Sequence, residues 1–271
     1  MSAALSYLFV PGNRPERFDK ALAAGADRVI LDLEDAVAPA DKPSARTNIC
    51  QWIAALQDAQ RPRVLVRIND AQSPWFEDDL AALSPLGLTA VMLPKSESVL
   101  QLARVRQALG ADCALLPLIE SAKGLVAVHD LAGTPGVERL AFGALDYQLD
   151  LDLPGDGFAT DFAATTIVLA CRNANIDAPI AGVTPAIDPE RVRHDMLHAR
   201  SLGFGAKMCI HPSQVAAVHT ALQPSAESLA WAQRVLDAWH GGAGTGSISV
   251  DGKMVDKPVF LRAQRIVDAA R

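Results

Sequence analysis

The chain has 271 residues, 50% of them hydrophobic, and a formal net charge of −6. No basic run or interleaving of basic and aromatic residues is present, which excludes a general nucleic-acid binder. No stretch approaches the ~18 consecutive apolar residues of a membrane helix. Met1-Ser2-Ala3-Ala4 passes straight into a strand-like run without a basic or long apolar leader, and the four cysteines form no CxxC, so a cytoplasmic protein is expected.

Eight β-like runs pace the chain: Tyr7–Pro11, Arg28–Leu33, Val64–Asn69, Ala90–Pro94, Leu115–Ile119, Arg139–Phe142, Ile180–Thr184 and Lys207–His211. They are mostly non-alternating and rich in Val, Ile and Leu, as strands buried on both faces of a parallel sheet are. Helix-like segments lie between them, over Arg14–Ala24, Pro43–Gln57, Ser98–Ala108, Gly157–Asn175 and Asp188–Leu202, the last stopped by Gly203. The alternation predicts a (β/α)8 barrel over residues 1–240. A doubly wound open sheet is the alternative, but no GxGxxG follows the first strand. Ser225–His240 has a helical pattern, and Gly241–Gly246 is a glycine-rich hinge. Residues 241–271 then form a hinged extension, a hairpin-like turn followed by a helix over Val259–Ala270.

Barrel enzymes place their chemistry at the C-terminal strand ends. Here those ends carry Asn13 and Arg14, Asp32, Glu34 and Asp35, Arg67 and Asn69, Lys95, Glu120, Asp146, Thr184 and His211. Glu120 and Asp146 close two consecutive apolar runs, so they are expected on adjacent strand ends ~4.8 Å apart. Two carboxylates that close repel unless a cation or proton intervenes, and oxygen-only ligation favours Mg2+, or Mn2+, over zinc. The competing reading makes each acid a helix cap or a partner of Arg67 or Lys95. Arg67 is placed to hold a substrate carboxylate or enolate oxygen, or to pair structurally with Glu34 or Asp35. Alternation sends Asp32 and Glu34 to one side and Asp35 to the other, where they would orient Arg67 or Lys95 and accept from metal-bound waters. His194 and His198, four apart on a helix, read as a solvated face, and His211 as a helix-entry residue or a catalytic one.

Several ordered segments resemble the citrate lyase β-subunit-like proteins of the HpcH/HpaI aldolase family, which are similar to malyl-CoA and citramalyl-CoA lyases. They are Leu8-Phe-Val-Pro-Gly-Asn-Arg-Pro15, Asp32-Leu-Glu-Asp-Ala-Val37, Val66-Arg-Ile-Asn69, Leu93-Pro-Lys95, Pro117-Leu-Ile-Glu-Ser-Ala-Lys-Gly124, Phe142-Gly-Ala-Leu-Asp-Tyr147, Lys207-Met-Cys-Ile-His-Pro212 and Gly252-Lys-Met-Val-Asp-Lys-Pro258. The resemblance implies a TIM barrel in a homotrimer or hexamer, with Mg2+ on Glu120 and Asp146. It implies Arg67 at the oxo-acid end of the substrate, with Phe9, Arg14 and Lys20 holding a CoA thioester or 2-oxo acid; Lys95 is counted with these substrate-binding residues. It also makes Asp256 the catalytic acid/base, carried onto a neighbouring subunit. The expected reaction is cleavage of a 3-hydroxyacyl-CoA to acetyl-CoA and a 2-oxo acid. A class II aldolase acting without CoA, or a β subunit acting on a carrier-bound citryl group, are the alternatives. The family tends to carry Tyr-x-Asp after the seventh strand; this chain has Thr184-Pro185-Ala186, which leaves the acyl group open.

Overall fold

The computed structural model describes residues 4–241, 247–268 and 270. Eight parallel strands close into a barrel in sequence order. They are β1 (Ser6–Pro11), β2 (Arg28–Asp32), β3 (Val64–Arg67), β4 (Ala90–Leu93), β5 (Ala114–Ile119), β6 (Ala141–Phe142), β7 (Ile180–Ala181) and β8 (Ala206–Cys209). β8 pairs back onto β1 through Ser6 and Lys207, Tyr7 and Met208, Leu8 and Cys209, so the sheet has no free edge. The helices in order are α1 (Phe18–Leu22), α2 (Lys42–Ala55), α3 (Phe76–Leu83), α4 (Val99–Leu109), α5 (Ala122–Val126), α6 (Val128–Ala132), α7 (Ala144–Asp150), α8 (Phe158–Asn173), α9 (Pro189–Leu202) and α10 (Ser213–Leu222).

Side-chain alternation fixes what points into the barrel. Tyr7, Ile30, Leu65, Met92, Leu116, Leu118, Ala141, Ile180, Ala206 and Met208 form the interior cluster, with Phe9 packed against it. Two residues further along the same strands come Asp32 after Ile30, Arg67 after Leu65 and Glu120 after Leu118. The pattern that fills the core therefore delivers these charged groups to the C-terminal mouth. At the opposite end, Ser6 and Asp27 exchange hydrogen bonds, and His219 of α10 bonds both, at 2.8 and 3.2 Å. Arg139 is buried there too, donating to the carbonyls of Ala4 and Ala178. These contacts belong to the face of a barrel that serves stability.

The last two barrel pairings are short. β6 covers two residues where four were expected, and β7 two where five were expected. After β6 the chain turns at Gly143 directly into α7, so Asp146 lies in the first turn of a helix and not on a strand end. The compact units divide between Ala221 and Leu222. The helix α11 (Ala226–Gly241), expected inside the barrel domain, therefore groups with the C-terminal segment. That second unit contains α11, the antiparallel hairpin β9 (Ile248–Val250) and β10 (Lys253–Val255), and α12 (Lys257–Asp268). Val235 and Leu236 of α11, Val255 and Ala263 form its core, with Trp239 stacked on Phe260 at 5.0 Å. The expected hinge at Gly241–Gly246 falls, beyond Gly241, outside the described residues.

Gly12 marks the tightest approach near the mouth. A Cβ there would lie 2.7 Å from the Asp32 carbonyl oxygen and 2.8 Å from Ile49 Cδ1, and the first of these is backbone that cannot swing aside. Gly12→Ala is expected to destabilise the protein by ~1–3 kcal/mol, read as a lower urea midpoint. Gly157→Ala, whose added methyl meets nothing within 4 Å, serves as the control and should leave the midpoint nearly unchanged.

Candidate active site

The mouth is organised around Arg67. Its Nε and Nη2 donate to the two carboxylate oxygens of Asp32, both at 2.7 Å. Asp32 and Arg67 are register partners on β2 and β3, so a fork-to-fork pair forms across one rung of the sheet. Asp32 is fixed in turn by the backbone N–H groups of Glu34 and Ala36. Glu34 Oε2 lies 2.8 Å from Arg67 Nη1, although without hydrogen-bond alignment, and Asp35 stays outside at 3.8 Å. Of the three acids expected to orient Arg67, Asp32 makes the two aligned hydrogen bonds, Glu34 an ion pair, and Asp35 only a distant one. The face of the guanidinium stacks on the Phe9 ring at 4.8 Å. Burial opposes the positive charge of Arg67, but Asp32 and Glu34 override it and hold its pKa above the ordinary arginine value. With Nε and one Nη2 hydrogen committed to Asp32 and Nη1 paired with Glu34, one hydrogen on each Nη remains as a donor for a ligand.

Glu34 links this pair to β4, because its Oε1 accepts from Lys95 Nζ at 2.6 Å. Burial raises the Glu34 pKa against the pull of Arg67 and Lys95. Burial also works against the Lys95 charge, and Glu34 reverses the effect, so the pKa of Lys95 ends above its usual value. Lys95 holds a left-handed backbone, with φ of 45°, a strained conformation for a residue with a Cβ. That twist aims its N–H at Glu120 Oε1, 2.7 Å away. One residue therefore contacts both acids, through its side chain and its backbone.

Glu120 follows β5 directly and is 4% exposed. Its Oε2 is buried without a hydrogen-bond partner. A Cβ at position 143 would lie 2.6 Å from that oxygen, so Gly143 is what lets the carboxylate sit against the turn leading to Asp146. Burial pushes the Glu120 carboxyl up to about 8, with Glu34 and Asp146 adding to the rise and the Lys95 N–H opposing it. A deeply buried carboxylate oxygen without a donor, facing a second acid, fits a hard cation. Among the described residues no group of three His, Cys, Asp or Glu side chains forms a metal cluster. Two carboxylates and no sulfur or nitrogen match the way Mg2+ is held, with its other positions left to water and substrate, and do not match zinc.

The other candidate residues fall into two groups. Arg14 and Lys20 are exposed, Arg14 on Glu16 at 2.7 Å and Lys20 on the outer side of α1 without an ion pair among the described residues. Among the described residues no hydrogen bond links either to the partners of Arg67, Asp32 and Glu34. Asn13 bonds Asp41, Asn69 bonds Asp79, and Thr184 bonds Asp195 at 2.7 Å. His211 accepts from the Ser213 N–H and shares a hydrogen bond with its hydroxyl at the entry to α10. His194 and His198 lie exposed on α9. Asp256 belongs to the second unit, where its carboxylate accepts from Val259 N–H at 3.2 Å and caps α12. Sequence reasoning missed Lys42, whose Nζ donates to the carbonyls of Leu33 and Glu34 beneath the Trp75 ring. It also missed Asp79, which ties Asn69 to Arg46. Both arrive from helices, and no local motif announces them.

The HpcH/HpaI aldolase/citrate lyase family matches residues 5–212. A citrate lyase subunit beta-like protein of Deinococcus radiodurans is 36% identical, over 97% of this chain and 95% of that one. The L-malyl-CoA/beta-methylmalyl-CoA lyase of Cereibacter sphaeroides is 31% identical, over 97% and 93%. The crystal structure of CitE from Mycobacterium tuberculosis in complex with magnesium, acetoacetate and coenzyme A superposes with a TM-score of 0.87 and 35% identity, covering 99% of this chain and 98% of that one.

The raised Glu120 pKa sets a sign for pH dependence. In the folded, chelator-treated protein the carboxyl titrates near 8, against 4.5 when unfolded. Its contribution to stability is complete below the unfolded value and is lost as pH rises through the folded one. Chelator-treated protein should therefore lose up to ~5 kcal/mol from this group between about pH 5 and about pH 9. Glu120→Gln should flatten that loss, and Mg2+ should restore stability most at the alkaline end. Equal pH slopes for the two proteins in thermal melts would exclude the assignment.

Proposed function

Because the chain belongs to the HpcH/HpaI aldolase/citrate lyase family, we propose that it is a Mg2+-dependent carbon–carbon lyase. Its substrate class is a 3-hydroxyacyl-CoA of the citramalyl-, malyl- or citryl-CoA type, cleaved to acetyl-CoA and a 2-oxo acid. The observation that carries this reading is the orphaned Glu120 Oε2, packed against the Gly143 turn and within electrostatic reach of Asp146, in the same mouth as an arginine fixed by Asp32. The likeness to a CitE complex with magnesium, acetoacetate and coenzyme A, and to an L-malyl-CoA/beta-methylmalyl-CoA lyase, supports it.

In this proposal Glu120 and Asp146 would hold the cation, which would supply Lewis-acid charge to the substrate. Asp32 and Glu34 keep the Arg67 guanidinium in one orientation, and its remaining N–H groups receive the oxygen on which negative charge develops. The hydroxyl loses its proton to solvent as the carbonyl of the 2-oxo acid forms. The bond to the α-carbon of the thioester breaks, and its electron pair becomes the acetyl-CoA enolate. Asp256 then protonates the enolate carbon, and in the condensation direction it removes a methyl proton. No lysine Schiff base is needed. Phe9 supports the guanidinium from below, while Lys95, Arg14 and Lys20 contribute positive charge toward the acyl and CoA portions. In a homotrimer or hexamer in the cytoplasm, the C-terminal unit would bring Asp256 to the mouth of another copy. The second unit has a shape suited to that task, because the β9–β10 hairpin ends directly on Asp256 and α12 fixes its carboxylate.

Purified protein, Mg2+, acetyl-CoA and a panel of glyoxylate, pyruvate and oxaloacetate should yield a condensed thioester by mass spectrometry. Asp256→Ala should bind Mg2+ normally by calorimetry and lose ~10²–10⁴-fold in turnover. Full activity in that variant removes Asp256 from the mechanism. Absence of turnover for every thioester contradicts the proposal and favours a carrier-bound or CoA-free substrate.

A further inference from the structure

A second cavity, of about 380 Å3, lies outside the barrel wall between β6–β8 and the helices α8 and α9. Phe9, Arg67, Glu120 and Asp146 take no part in lining it. Alternation explains how the two sites stay separate. Ala141, Ile180 and Ala206 fill the barrel interior, so Phe142, Ala181 and Lys207, each one position further on, face outward into the cavity.

Lys207 is the unusual member. A lysine in the helix–sheet layer of a barrel is costly to bury without a counter-charge, yet Lys207 is 4% exposed. Its Nζ donates to the Gly182 carbonyl oxygen at 2.5 Å, which uses one of three donors. It forms no ion pair within 4 Å among the described residues, and the acids of the cavity have other partners, Asp156 accepting from Gln148 at 2.8 Å. Asp195 takes Arg191 at 2.8 Å and the Thr184 hydroxyl at 2.7 Å, and Asp161 takes His198 at 2.8 Å. The rest of the wall near Lys207 is apolar, with Phe142, Ala164, Leu202 and Phe204. The volume lies within the range of small-molecule sites, which combine apolar walls with a few placed polar groups; here Arg191, His194, His198 and three aspartates line the rest of the cavity.

We propose that this cavity binds a small organic carboxylate, its anionic end on the Lys207 ammonium and its apolar body against Phe142, Ala164, Leu202 and Phe204. The site is distinct from the mouth and does not depend on the lyase reading. It adjoins the mouth through two segments: Gly182, the Lys207 acceptor, stands two residues before Thr184, whose hydroxyl is held by Asp195, and Phe142 and Ala144 flank the Gly143 that packs on Glu120.

The test uses the full chain and 4-fluorobenzoate as probe, followed by 19F NMR titration. Saturable binding is expected. Lys207→Met should weaken it by about tenfold or more. Ala199→Phe, which fills the cavity from the partly exposed face of α9 with Lys207 intact, should do the same, and it decides the matter if Lys207→Met fails to fold. Asp146→Asn should leave the affinity unchanged. The proposal is overturned by no saturable binding to the wild type, by wild-type affinity in either cavity variant, or by loss of binding in Asp146→Asn, which would move the probe to the mouth.

Discussion

The fork between Arg67 and Asp32 is the constraint on which the mouth of this barrel depends. Burying a guanidinium or a carboxylate alone is expensive, and a pair recovers the cost only with good geometry and with the remaining lone pairs satisfied. Both conditions are met: two 2.7 Å hydrogen bonds run between register partners, and two backbone N–H groups close the far side of Asp32. Removing either partner would leave the other charge stranded in the core. Because Glu34 is shared between Arg67 and Lys95, and Lys95 holds Glu120 through its backbone, the ends of β2, β3, β4 and β5 are joined in one chain of polar contacts. The position of the candidate metal carboxylate is thus set from three strands away.

The chain of contacts also separates two kinds of acid. Asp32 is saturated with donors and serves to fix the arginine. Glu120 has one oxygen satisfied and one orphaned, and its burial penalises the ionised form. A group arranged like that is poorly suited to stability and well suited to receive a cation. The strained φ of Lys95 sits at the junction of the two, which is where stored strain is expected in a functional site.

Much of the barrel was legible in the sequence because strands buried on both faces leave a direct imprint. Val29-Ile30-Leu31 and Leu115-Leu116 have no reason to be so apolar in a one-sided sheet. The parity of Ile30 and Asp32, or Leu118 and Glu120, likewise carries the inward direction of the charged residues. Asp146 was harder, because Leu140–Leu145 looks like one apolar run while Gly143 breaks it into a two-residue strand and a helix start. The ranking of Arg67's partners was hidden for a different reason: choosing between Asp32 and Glu34 requires the inter-strand register, which no single strand records. Lys42 and Asp79 come from α2 and α3 and are fixed only by tertiary packing. The unit boundary after Ala221 was invisible because α11 has the same amphipathic pattern whether it covers a barrel or packs on α12, and the large aromatics Trp239 and Phe260 that join it to α12 meet only in three dimensions.

The proposed site puts a divalent cation on Glu120 and Asp146 within reach of an oxo acid bound at Arg67. Its most direct test replaces Mg2+ with paramagnetic Mn2+ and measures the 13C relaxation of labelled pyruvate. A saturable enhancement is expected at the pyruvate carboxylate in the wild type, and its loss in both Glu120→Gln and Asp146→Asn. An enhancement that survives in both variants, or never appears in the wild type, would contradict it.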